Sequence, residues 1–316
     1  MTPVISETPY LSVVIPVYNE EAGLELLVSR LLPVLDGIGK PFEVIFVNDG
    51  SKDNSQQILE DLHRRRPEHI RALQFMRNYG QHPAIMAGFE HVRGEVVVTM
   101  DADLQNPPED IPRLLELIER GHDVVGGCRS NRQDTWFRKA ISRLSNIVRE
   151  RITHIHMTDH GCMLRAYRRN IIEQIVESGD ASPFITALSQ YLAVNPAEII
   201  VGHEERAAGV SNYNLYKLIR YNFDLVTGFS LVPLQLFTIF GAALSALSGV
   251  LVIYMLVRRV MLGPEAEGVF TLFAFMFLLI SVTMTGLGII GEYVGRIYKE
   301  VRHRPRYVVK EFKTTE

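Results

Sequence analysis

Two aspartates separated by one residue are the clearest chemical feature of the sequence. Asp101 and Asp103 lie in the string Asp-Ala-Asp-Leu-Gln at 101–105, directly after an apolar, β-branched run. Two carboxylates at a strand end can share a divalent cation, and Mg²⁺ and Mn²⁺ commonly bridge protein carboxylates to phosphates. Because Asn-Pro-Pro at 106–108 opens a helix, a helix-capping turn is the alternative interpretation. The position after a strand favours a metal site.

Two further polar clusters follow strand-like runs. Asp49 lies in Asn-Asp-Gly-Ser at 48–51, beside a glycine that permits close backbone approach, and its carboxylate could accept an N–H of a nucleobase. Tyr18 and Glu20 follow the first run, where a ring and a carboxylate could hold a base and a ribose. Asn-Asp-Gly is also a common turn sequence. One shared ligand explains the polar clusters after successive strands better than separate turns do.

The histidines and cysteines do not indicate a metal centre. His154, His156 and His160 lie close together, but no carboxylate or cysteine constellation completes a four-ligand zinc site, so we interpret them as polar loop residues. Cys128 and Cys162 lack a metal-ligand spacing and are too few for a disulfide framework. They are expected to be reduced thiols in a cytosolic domain.

Short apolar runs alternate with helical patterns before residue 210. The predicted strands are Leu11–Val17, Phe42–Val47, Arg71–Phe75, Glu95–Met100 and Asp123–Gly126. The predicted helices are Glu21–Leu35, Ser55–Arg66, His82–Val92 and Pro108–Arg120. Such alternation predicts an α/β domain over 1–210 with a mainly parallel sheet. Ligands on these sheets bind beyond the carboxyl ends of the strands, which is where the polar clusters fall.

Two uncharged segments follow this domain. Phe229–Val257 and Val269–Ile290 are each long enough to cross a bilayer, and the short linker 258–268 makes them a helical hairpin with both ends on one face. A juxtamembrane segment, 211–228, precedes the hairpin, and a basic tail, 291–316, follows it. Under the positive-inside rule the basic flanks favour a cytoplasmic catalytic domain, tail and N-terminus.

The net charge and two further segments of the sequence limit the partners and the location expected for the protein. A net charge of −3 gives no global field toward nucleic acid, so no nucleic-acid partner is expected. Met1–Tyr10 has no basic n-region and Pro16 interrupts the apolar run, so no signal peptide is expected. Residues 136–149 form a basic amphipathic pattern, which fits a helix in the lipid headgroup layer or an ordinary surface helix.

Three strings carry a family resemblance. Val-Ile-Pro-Val-Tyr-Asn-Glu at 14–20, Asn-Asp-Gly-Ser at 48–51 and the string at 101–105 resemble the family 2 glycosyltransferases, which have a GT-A (Rossmann-like) fold. Within that family the chain is similar to the polyprenyl-phosphate glycosyltransferases, the group of dolichol-phosphate mannose synthase. It is most similar to those that transfer 4-deoxy-4-formamido-L-arabinose to undecaprenyl phosphate. The similarity runs from about Leu11 to Val309, and the strings that carry it lie at 77–82, 132–134, 136–139, 161–169 and 291–293.

The resemblance implies roles for particular residues. The implied nucleotide-binding residues are Pro16, Tyr18, Glu20, Asp49, Ser51, Asp101, Ala102 and Arg206, with Asp49 on the base. The implied ligands of Mg²⁺ or Mn²⁺ are Asp101, Asp103 and Gln105, and the implied acceptor-phosphate residues are Arg129, Arg138 and Ser142. The string 205–213 resembles a loop that closes over the diphosphate, but Asn212 replaces the family's lysine. Arg206, and Lys217 further along, then carry more of the charge.

Asp159 aligns with the acidic residue proposed as catalytic base in relatives. The acceptor phosphate has a second pKa near 6, so it is already largely ionised at neutral pH and needs a base less than an alcohol does. Orientation or electrostatic stabilisation is therefore the second interpretation of Asp159. The family implies inversion at the anomeric carbon in one displacement, through an oxocarbenium-like transition state.

The resemblance also implies partners and a setting. These are a UDP-sugar donor, undecaprenyl phosphate, membrane lipid and a homotetramer in the bacterial inner membrane, with a product used for lipid A modification and resistance to cationic peptides such as polymyxin. Glucose or mannose transfer is the alternative. A processive polysaccharide synthase is disfavoured because Trp136 lacks a Gln-x-x-Arg-Trp context and such enzymes need more spans. A non-catalytic membrane scaffold would not require Asp101 and Asp103.

Overall fold

The computed structural model describes residues 8–129, 158–159, 161–179, 184–204, 227, 231–263, 269–302 and 305–314. Contacts divide the chain into two compact units. The catalytic unit contains the described residues up to 204 together with 305–314, and the hairpin unit contains those from 227 to 302.

The catalytic unit is built on an eight-stranded sheet. The strands are β1 Leu11–Val17, β2 Phe42–Asn48, β3 Ile70–Phe75, β4 Val96–Thr99, β5 Val124–Arg129, β6 Arg165–Arg168, β7 Pro196–Val201 and β8 Val309–Lys313. Their order is β7-β5-β6-β4-β1-β2-β3-β8. Strands β4, β1, β2 and β3 are parallel neighbours, and β5 is parallel to β7. Strands β6 and β8 run antiparallel to their neighbours, so the sheet is mixed.

Helices cover both faces of this sheet. They are α1 Leu24–Ile38, α2 Ser55–Arg65, α3 Gln81–Phe89, a short 3-10 helix Pro108–Asp110, α4 Ile111–Glu119, α5 Arg169–Glu177 and α6 Ile185–Leu192. Successive side chains of a strand point to opposite faces, so Val13 and Ile15 pack with α1, α2 and α4 whereas Val14 packs with α3, α5 and α6. A strand that is buried on both faces reads as a continuous apolar run, as Leu11–Val17 does.

The α/β fold class predicted from the sequence is confirmed. The predicted strands and helices lie within a few residues of the observed ones, except that the helix predicted at Pro108–Arg120 begins with a 3-10 turn. Strands β6, β7 and β8 and helices α5 and α6 were not predicted. The antiparallel β6 lies in the middle of the sheet between β4 and β5, and a βαβ pattern in the sequence does not predict a strand in that position.

The hairpin unit contains α7, Val232–Leu262, and α8, Val269–Val301. Among the described residues these are the two helices long and apolar enough to cross a membrane, and almost none of their apolar windows is buried within the protein. They pack on each other where Phe237 contacts Gly286. An apolar surface of this length indicates membrane association. The bounds differ from the predicted 229–257 and 269–290, because α7 includes Arg258 and Arg259 and α8 continues to Val301.

The segment 291–316, predicted as a basic cytoplasmic tail, contains a helix end and a strand. Its first part is the last turns of α8, and its end is β8, which pairs antiparallel with β3 in the catalytic unit. Tyr307 stacks on Phe75 with ring centroids 4.7 Å apart, and the Arg71 guanidinium lies over the Phe312 ring at 4.8 Å. The end of the chain is therefore part of the sheet.

Candidate active site

Those predicted site residues that the structure describes lie at one edge of the sheet. Strands β1, β2, β4, β5 and β7 run in the same direction, so their carboxyl ends open on the same side. Strand β6 runs the opposite way, which brings its first residue to this edge. That residue, Arg165, pairs with Thr99 of β4 and Gly126 of β5.

The loops after β1 and β2 are joined by hydrogen bonds. The Asn19 N–H donates to Ser51 Oγ at 3.0 Å, and the Lys52 N–H donates to Asn19 Oδ1 at 2.8 Å. Asn19 has a φ of 55°, a left-handed conformation that asparagine tolerates better than most residues. Beside it, the Tyr18 ring is exposed and Glu20 is half-buried. The structure thus brings together the side chains predicted to hold a nucleoside, while Pro16 lies one step inside, within β1.

Asp49 connects the loop after β2 to the loop before α3. Its buried carboxylate accepts the Tyr79 N–H at 2.6 Å on Oδ1 and the Gly80 N–H at 2.8 Å on Oδ2. Burial raises the pKa of Asp49 above its ordinary value, and the two N–H donors oppose that shift. A carboxylate has about four lone-pair sites, so these two bonds leave room for a base N–H. Sequence reasoning missed that Asp49 also organises the loop.

The string at 101–105 presents its polar side chains on one side. Burial alternates along it, with Ala102 and Leu104 in the core and Asp101, Asp103 and Gln105 half-exposed. Leu104 has a φ of 59°, and this left-handed residue lets the Gln105 N–H donate to Asp103 Oδ1 at 3.2 Å. The predicted metal ligands therefore share one open face.

The donor set at 101–105 fits a divalent ion that is only partly coordinated by protein. Two carboxylates and an amide oxygen are hard ligands of the type that Mg²⁺ and Mn²⁺ prefer, with phosphate and water filling the other positions. Over the described ranges, no group of three or more His, Cys, Asp or Glu side chains is arranged to hold a metal by itself. Gln81, at the start of α3, donates a hydrogen bond to Asp101 Oδ1.

On the other side of this edge, Arg129 and Asp159 form a two-pronged ion pair. Arg129 Nε donates to Asp159 Oδ2 at 2.7 Å and Nη2 donates to Oδ1 at 2.9 Å. The Gly161 N–H also donates to Oδ1 at 3.0 Å. Asp159 is 5% exposed and the Arg129 side chain is 17% exposed. A residue predicted to hold the acceptor phosphate and the predicted catalytic carboxylate are thus direct partners.

Two contacts join the turn that carries Asp159 to residues that flank the 101–105 loop. Thr99 Oγ1 donates to the Met163 carbonyl at 2.7 Å, and Cys162 Sγ lies 3.7 Å from Asn106 Oδ1. Burial raises the pKa of the Cys162 thiol to about 11, so the group stays protonated and serves as a packing residue. The Asp101 and Asp103 carboxylates and the Arg129 guanidinium therefore belong to one connected part of the structure.

The sequence analysis did not predict that Arg30 joins α1 to the residues around the 101–105 loop. Arg30 donates to both carboxylate oxygens of Glu109 and to both of Glu204, at distances from 2.9 to 3.0 Å. The Glu204 N–H also donates to the Gln105 carbonyl at 2.9 Å. The segment after β7 is thereby fixed against the 101–105 loop. An isolated arginine in an amphipathic helix gave no signal of this role.

Several predicted site residues lie outside the described residues. They are Arg138, Ser142 and Arg206, together with the amphipathic segment 136–149, the loop 205–213 and the three neighbouring histidines.

Comparison with known proteins decides the family. The model of the family described as glycosyl transferase family 2 matches residues 12–176. The chain belongs to glycosyl transferase family 2. An undecaprenyl-phosphate 4-deoxy-4-formamido-L-arabinose transferase of Edwardsiella ictaluri (strain 93-146) is 47% identical over 303 residues, which is 95% of this chain and 93% of that protein. One of the same description from Pectobacterium carotovorum subsp. carotovorum (strain PC1) is 48% identical over 310 residues, 97% of this chain and 94% of that protein.

The solved structures agree at the level of fold. A mycobacterial protein of known crystal structure has a TM-score of 0.51 and 16% identity, over 69% of this chain and 73% of that one. The family 2 model covers the sheet from β1 to α5, which contains the edge described above. The chain is therefore a family 2 glycosyltransferase with a GT-A domain and two apolar helices near its C-terminal end.

Proposed function

We propose that this family 2 glycosyltransferase transfers 4-deoxy-4-formamido-L-arabinose from a UDP carrier to undecaprenyl phosphate. The proposal rests on one observation. The contacts of Thr99 with Met163 and of Asn106 with Cys162 link the 101–105 loop, which carries the carboxylates, to the turn that carries Asp159 and its partner Arg129. Donor and acceptor are both phosphorylated, and this edge offers cation-binding carboxylates for one and a guanidinium for the other. The sugar and the lipid are proposed from the names of the relatives that share almost the whole chain.

The donor side is assigned to the loops after β1, β2 and β4. Bonds from the main chain at Asn19 and Glu20 to Ser51 and Ser55 join the loops that carry Tyr18, Glu20 and Ser51, and the buried Asp49 of the second loop has lone pairs suited to a base N–H. A carboxylate alone does not distinguish uracil from guanine, because both bases present ring N–H groups.

A divalent ion completes the donor side. Asp101, Asp103 and Gln105 would hold Mg²⁺ or Mn²⁺ together with the donor phosphates, and the ion would supply positive charge that stabilises the leaving nucleotide diphosphate. Asp101 is oriented by Gln81 and Asp103 by the Gln105 N–H, so the protein fixes both carboxylates before the donor binds. Arg206, in the loop that the family places over the diphosphate, is proposed to add a cation there.

The acceptor side is assigned to Arg129, with Arg138 and Ser142 beyond the described residues. A guanidinium fork matches phosphate oxygens, and the Asp159 carboxylate fixes the orientation of Arg129. An oxygen of the ionised phosphate attacks the anomeric carbon while the bond from that carbon to the diphosphate oxygen breaks. One displacement inverts the anomeric configuration and releases UDP. No proton has to leave the nucleophile, which favours orientation over base catalysis for Asp159.

The hairpin gives the reaction its setting. With α7 and α8 in the bacterial inner membrane and both chain ends cytoplasmic, the site meets a soluble donor and a lipid acceptor at the same boundary. The amphipathic segment 136–149 is proposed to lie in the headgroup layer. A homotetramer is proposed from the family. The product then serves lipid A modification, which lowers negative surface charge and protects against cationic peptides.

The test of the reaction is a donor panel. Full-length protein in membranes is incubated with undecaprenyl phosphate and with UDP- and GDP-linked sugars, and the lipid product is identified by mass. We expect the formamido-arabinose adduct of undecaprenyl phosphate from the UDP donor. Product from UDP-glucose or GDP-mannose alone would overturn the proposed sugar, and no lipid-linked product from any donor would overturn the proposed function.

The test of the metal is its removal. Chelation should lower transfer by at least about a hundredfold, since an ion of this type stabilises several kcal/mol of transition-state charge, and added Mg²⁺ or Mn²⁺ should restore it. Asp103→Asn should raise the metal concentration needed for half-maximal activity. Asp36→Asn is the control, since Asp36 is an exposed residue of α1 whose partner is Arg66. Undiminished turnover in chelator would contradict the proposed metal.

A further inference from the structure

We propose that Arg165 is a positioning residue for the acceptor phosphate, which it serves by fixing the turn that carries Asp159 and hence the direction of Arg129. The inference rests on the proposed function and names a residue that does not itself touch the phosphate. Three features of the structure support it, namely the contacts of the guanidinium, its buried charge and the glycines of β5 that make room for it.

The guanidinium of Arg165 holds the main chain of the turn. Its Nη2 donates to the Asp159 carbonyl at 2.8 Å and its Nε donates to the Cys162 carbonyl at 3.0 Å. Arg129 holds the side chain of the same aspartate. Asp159 is thus held at its carbonyl from β6 and at its carboxylate from β5, which leaves the carboxylate little freedom to turn away.

The charge of Arg165 is buried without a carboxylate partner. Its side chain is 0% exposed, no described carboxylate forms an ion pair with it, and its Nη1 has no hydrogen-bond partner among the described residues. A buried charge held only by carbonyl dipoles is costly, and a neutral side chain would fill the space at lower cost. The cation therefore indicates a function at this edge, where it adds positive potential close to the Arg129–Asp159 pair.

Two glycines of β5 allow this arrangement. A Cβ at Gly126 would lie 2.7 Å from Arg165 Nη1 and 3.2 Å from its Cζ. A Cβ at Gly127 would lie 2.9 Å from the Leu164 carbonyl and 3.0 Å from Cys162 Sγ. The strand that ends in Arg129 is therefore in contact with the arginine that supports the turn, and a shift of either one displaces the ion pair.

Strand β6 contains its own control. Arg168 also donates to two main-chain carbonyls, from Nε to His122 at 3.0 Å and from Nη2 to Ile118 at 2.8 Å, although its side chain is 41% exposed and its Nε lies 4.0 Å from Asp123 Oδ1. It pairs with Val96 at the start of β4, so it lies at the end of the sheet away from the candidate site. Arg165→Lys and Arg168→Lys therefore each change an arginine that bonds two main-chain carbonyls, at opposite ends of one strand.

The experiment measures the acceptor and the donor separately in the full-length enzyme. We expect Arg165→Lys to raise the KM for undecaprenyl phosphate by at least about tenfold while the donor KM changes less than about twofold. Arg168→Lys should leave both within about twofold. Equal changes in both KM values, or a lower melting temperature with unchanged KM values, would show that Arg165 only stabilises the fold.

Direct binding separates this inference from the proposed reaction. If the wild-type protein binds undecaprenyl phosphate in detergent but transfers no sugar, the proposed function fails, and weaker binding by Arg165→Lys still supports the inference. If the wild-type protein does not bind the lipid, both fail. Should Arg165→Lys not fold, Gly126→Ala is the second variant, with the same selective loss expected. Gly37→Ala is its control, since a Cβ there meets nothing within 4 Å.

Discussion

Both carboxylate oxygens of Asp159 accept hydrogen bonds from Arg129, and Oδ1 accepts a further one from the Gly161 N–H. A general base needs a lone pair directed at the proton that it removes. Here the lone pairs are directed at a guanidinium and a main-chain donor. The acceptor phosphate is also largely ionised at neutral pH. The contacts of this residue therefore favour the orienting role over the basic one.

Asp159→Asn tests the two roles. As an orienting group, Asp159 should be needed mainly for acceptor binding, so we expect the KM for undecaprenyl phosphate to rise about tenfold and kcat to fall only a few-fold. A loss of kcat of at least about a hundredfold would instead establish base catalysis. Steady-state kinetics with each substrate varied in turn gives both numbers.

Two variants serve as controls for Asp159→Asn. Arg129→Gln should show the same acceptor defect, and the double variant should be no worse than either single one, because the residues act as a pair. Glu198→Gln changes a carboxylate that accepts the neighbouring Thr158 N–H at 3.0 Å but does not contact Arg129. It should retain near-normal acceptor affinity.

At the scale of the secondary-structure elements, the conformation of the loops after β2 and β3 depends on close contact between their main chains. Gly50 has a φ of 65°, and a Cβ there would meet the backbone of Arg77 and Asn78. Next to it, Asp49 accepts the N–H groups of Tyr79 and Gly80, the last two residues of the loop after β3. The shape of the proposed nucleotide-binding side is thus set by close main-chain contact at Gly50 together with the Asp49 carboxylate.

Gly50→Ala should therefore damage donor binding. We expect the donor KM to rise at least about tenfold, because the alanine methyl separates the two loops in addition to straining a left-handed residue. Gly39→Ala is the matched control, with a φ of 69° at the end of α1 and nothing within 4 Å of a Cβ. It should cost about 1 kcal/mol of stability and leave both KM values unchanged. Equal kinetic effects of the two variants would contradict the loop-contact explanation.

Strand β8 is the other element with a specific consequence. It covers the edge of β3, and its Phe312 ring lies under the Arg71 guanidinium and edge-on to His91 at 4.6 Å. Upstream, Tyr307 donates to Glu90, and burial with this neighbour raises the pKa of the Tyr307 phenol, which keeps it protonated. With β8 paired to it, β3 is an interior strand, and β8 is the outer strand on this side of the sheet.

Phe312→Ala should destabilise the catalytic unit by about 1–2 kcal/mol, from lost apolar burial and a lost cation–π contact. Lys310→Ala, at an exposed position of the same strand, should change stability by less than about 0.5 kcal/mol. Thermal unfolding of the purified full chain in detergent compares the two. An unchanged midpoint for Phe312→Ala would mean that β8 contributes little to the catalytic unit.

At the scale of the whole molecule, the chain combines a polar catalytic unit with a hairpin of exposed apolar helices. Its 47% hydrophobic and 22% charged residues are an average over these two very different parts. The net charge of −3 is small, so under the proposed function the binding of phosphorylated ligands depends on local groups such as Arg129 and not on a global field.

This organisation predicts the side from which the donor is used. In sealed inverted inner-membrane vesicles, nucleotide-sugar added outside should be turned over at once, because the proposed orientation places the catalytic unit on the cytoplasmic face. Right-side-out vesicles should show less than about a tenth of that rate until they are permeabilised. The reverse pattern would place the site on the periplasmic face.

The sequence by itself determined the parts of the protein that depend on local pattern. Apolar periodicity predicted strands β1 to β5 and helices α1 to α4, because burial on both faces of a sheet leaves a direct trace in residue order. Hydropathy and length likewise predicted the two apolar helices. Polar strings after strand ends predicted that Asp49, Asp101 and Asp103 lie at one end of the sheet, since parallel strands bring their carboxyl ends together.

Only the tertiary structure decided which of these residues are partners. Arg129 and Asp159 are far apart in the sequence, and Arg165 lies in a strand that no local pattern predicted, yet the antiparallel entry of β6 brings all three together. Within the segment predicted as a basic tail, Val309–Lys313 likewise forms an edge strand on β3. Local propensity fixes which segments are strands, whereas pairing between distant segments depends on how the whole sheet packs, and that information is not present in any one segment.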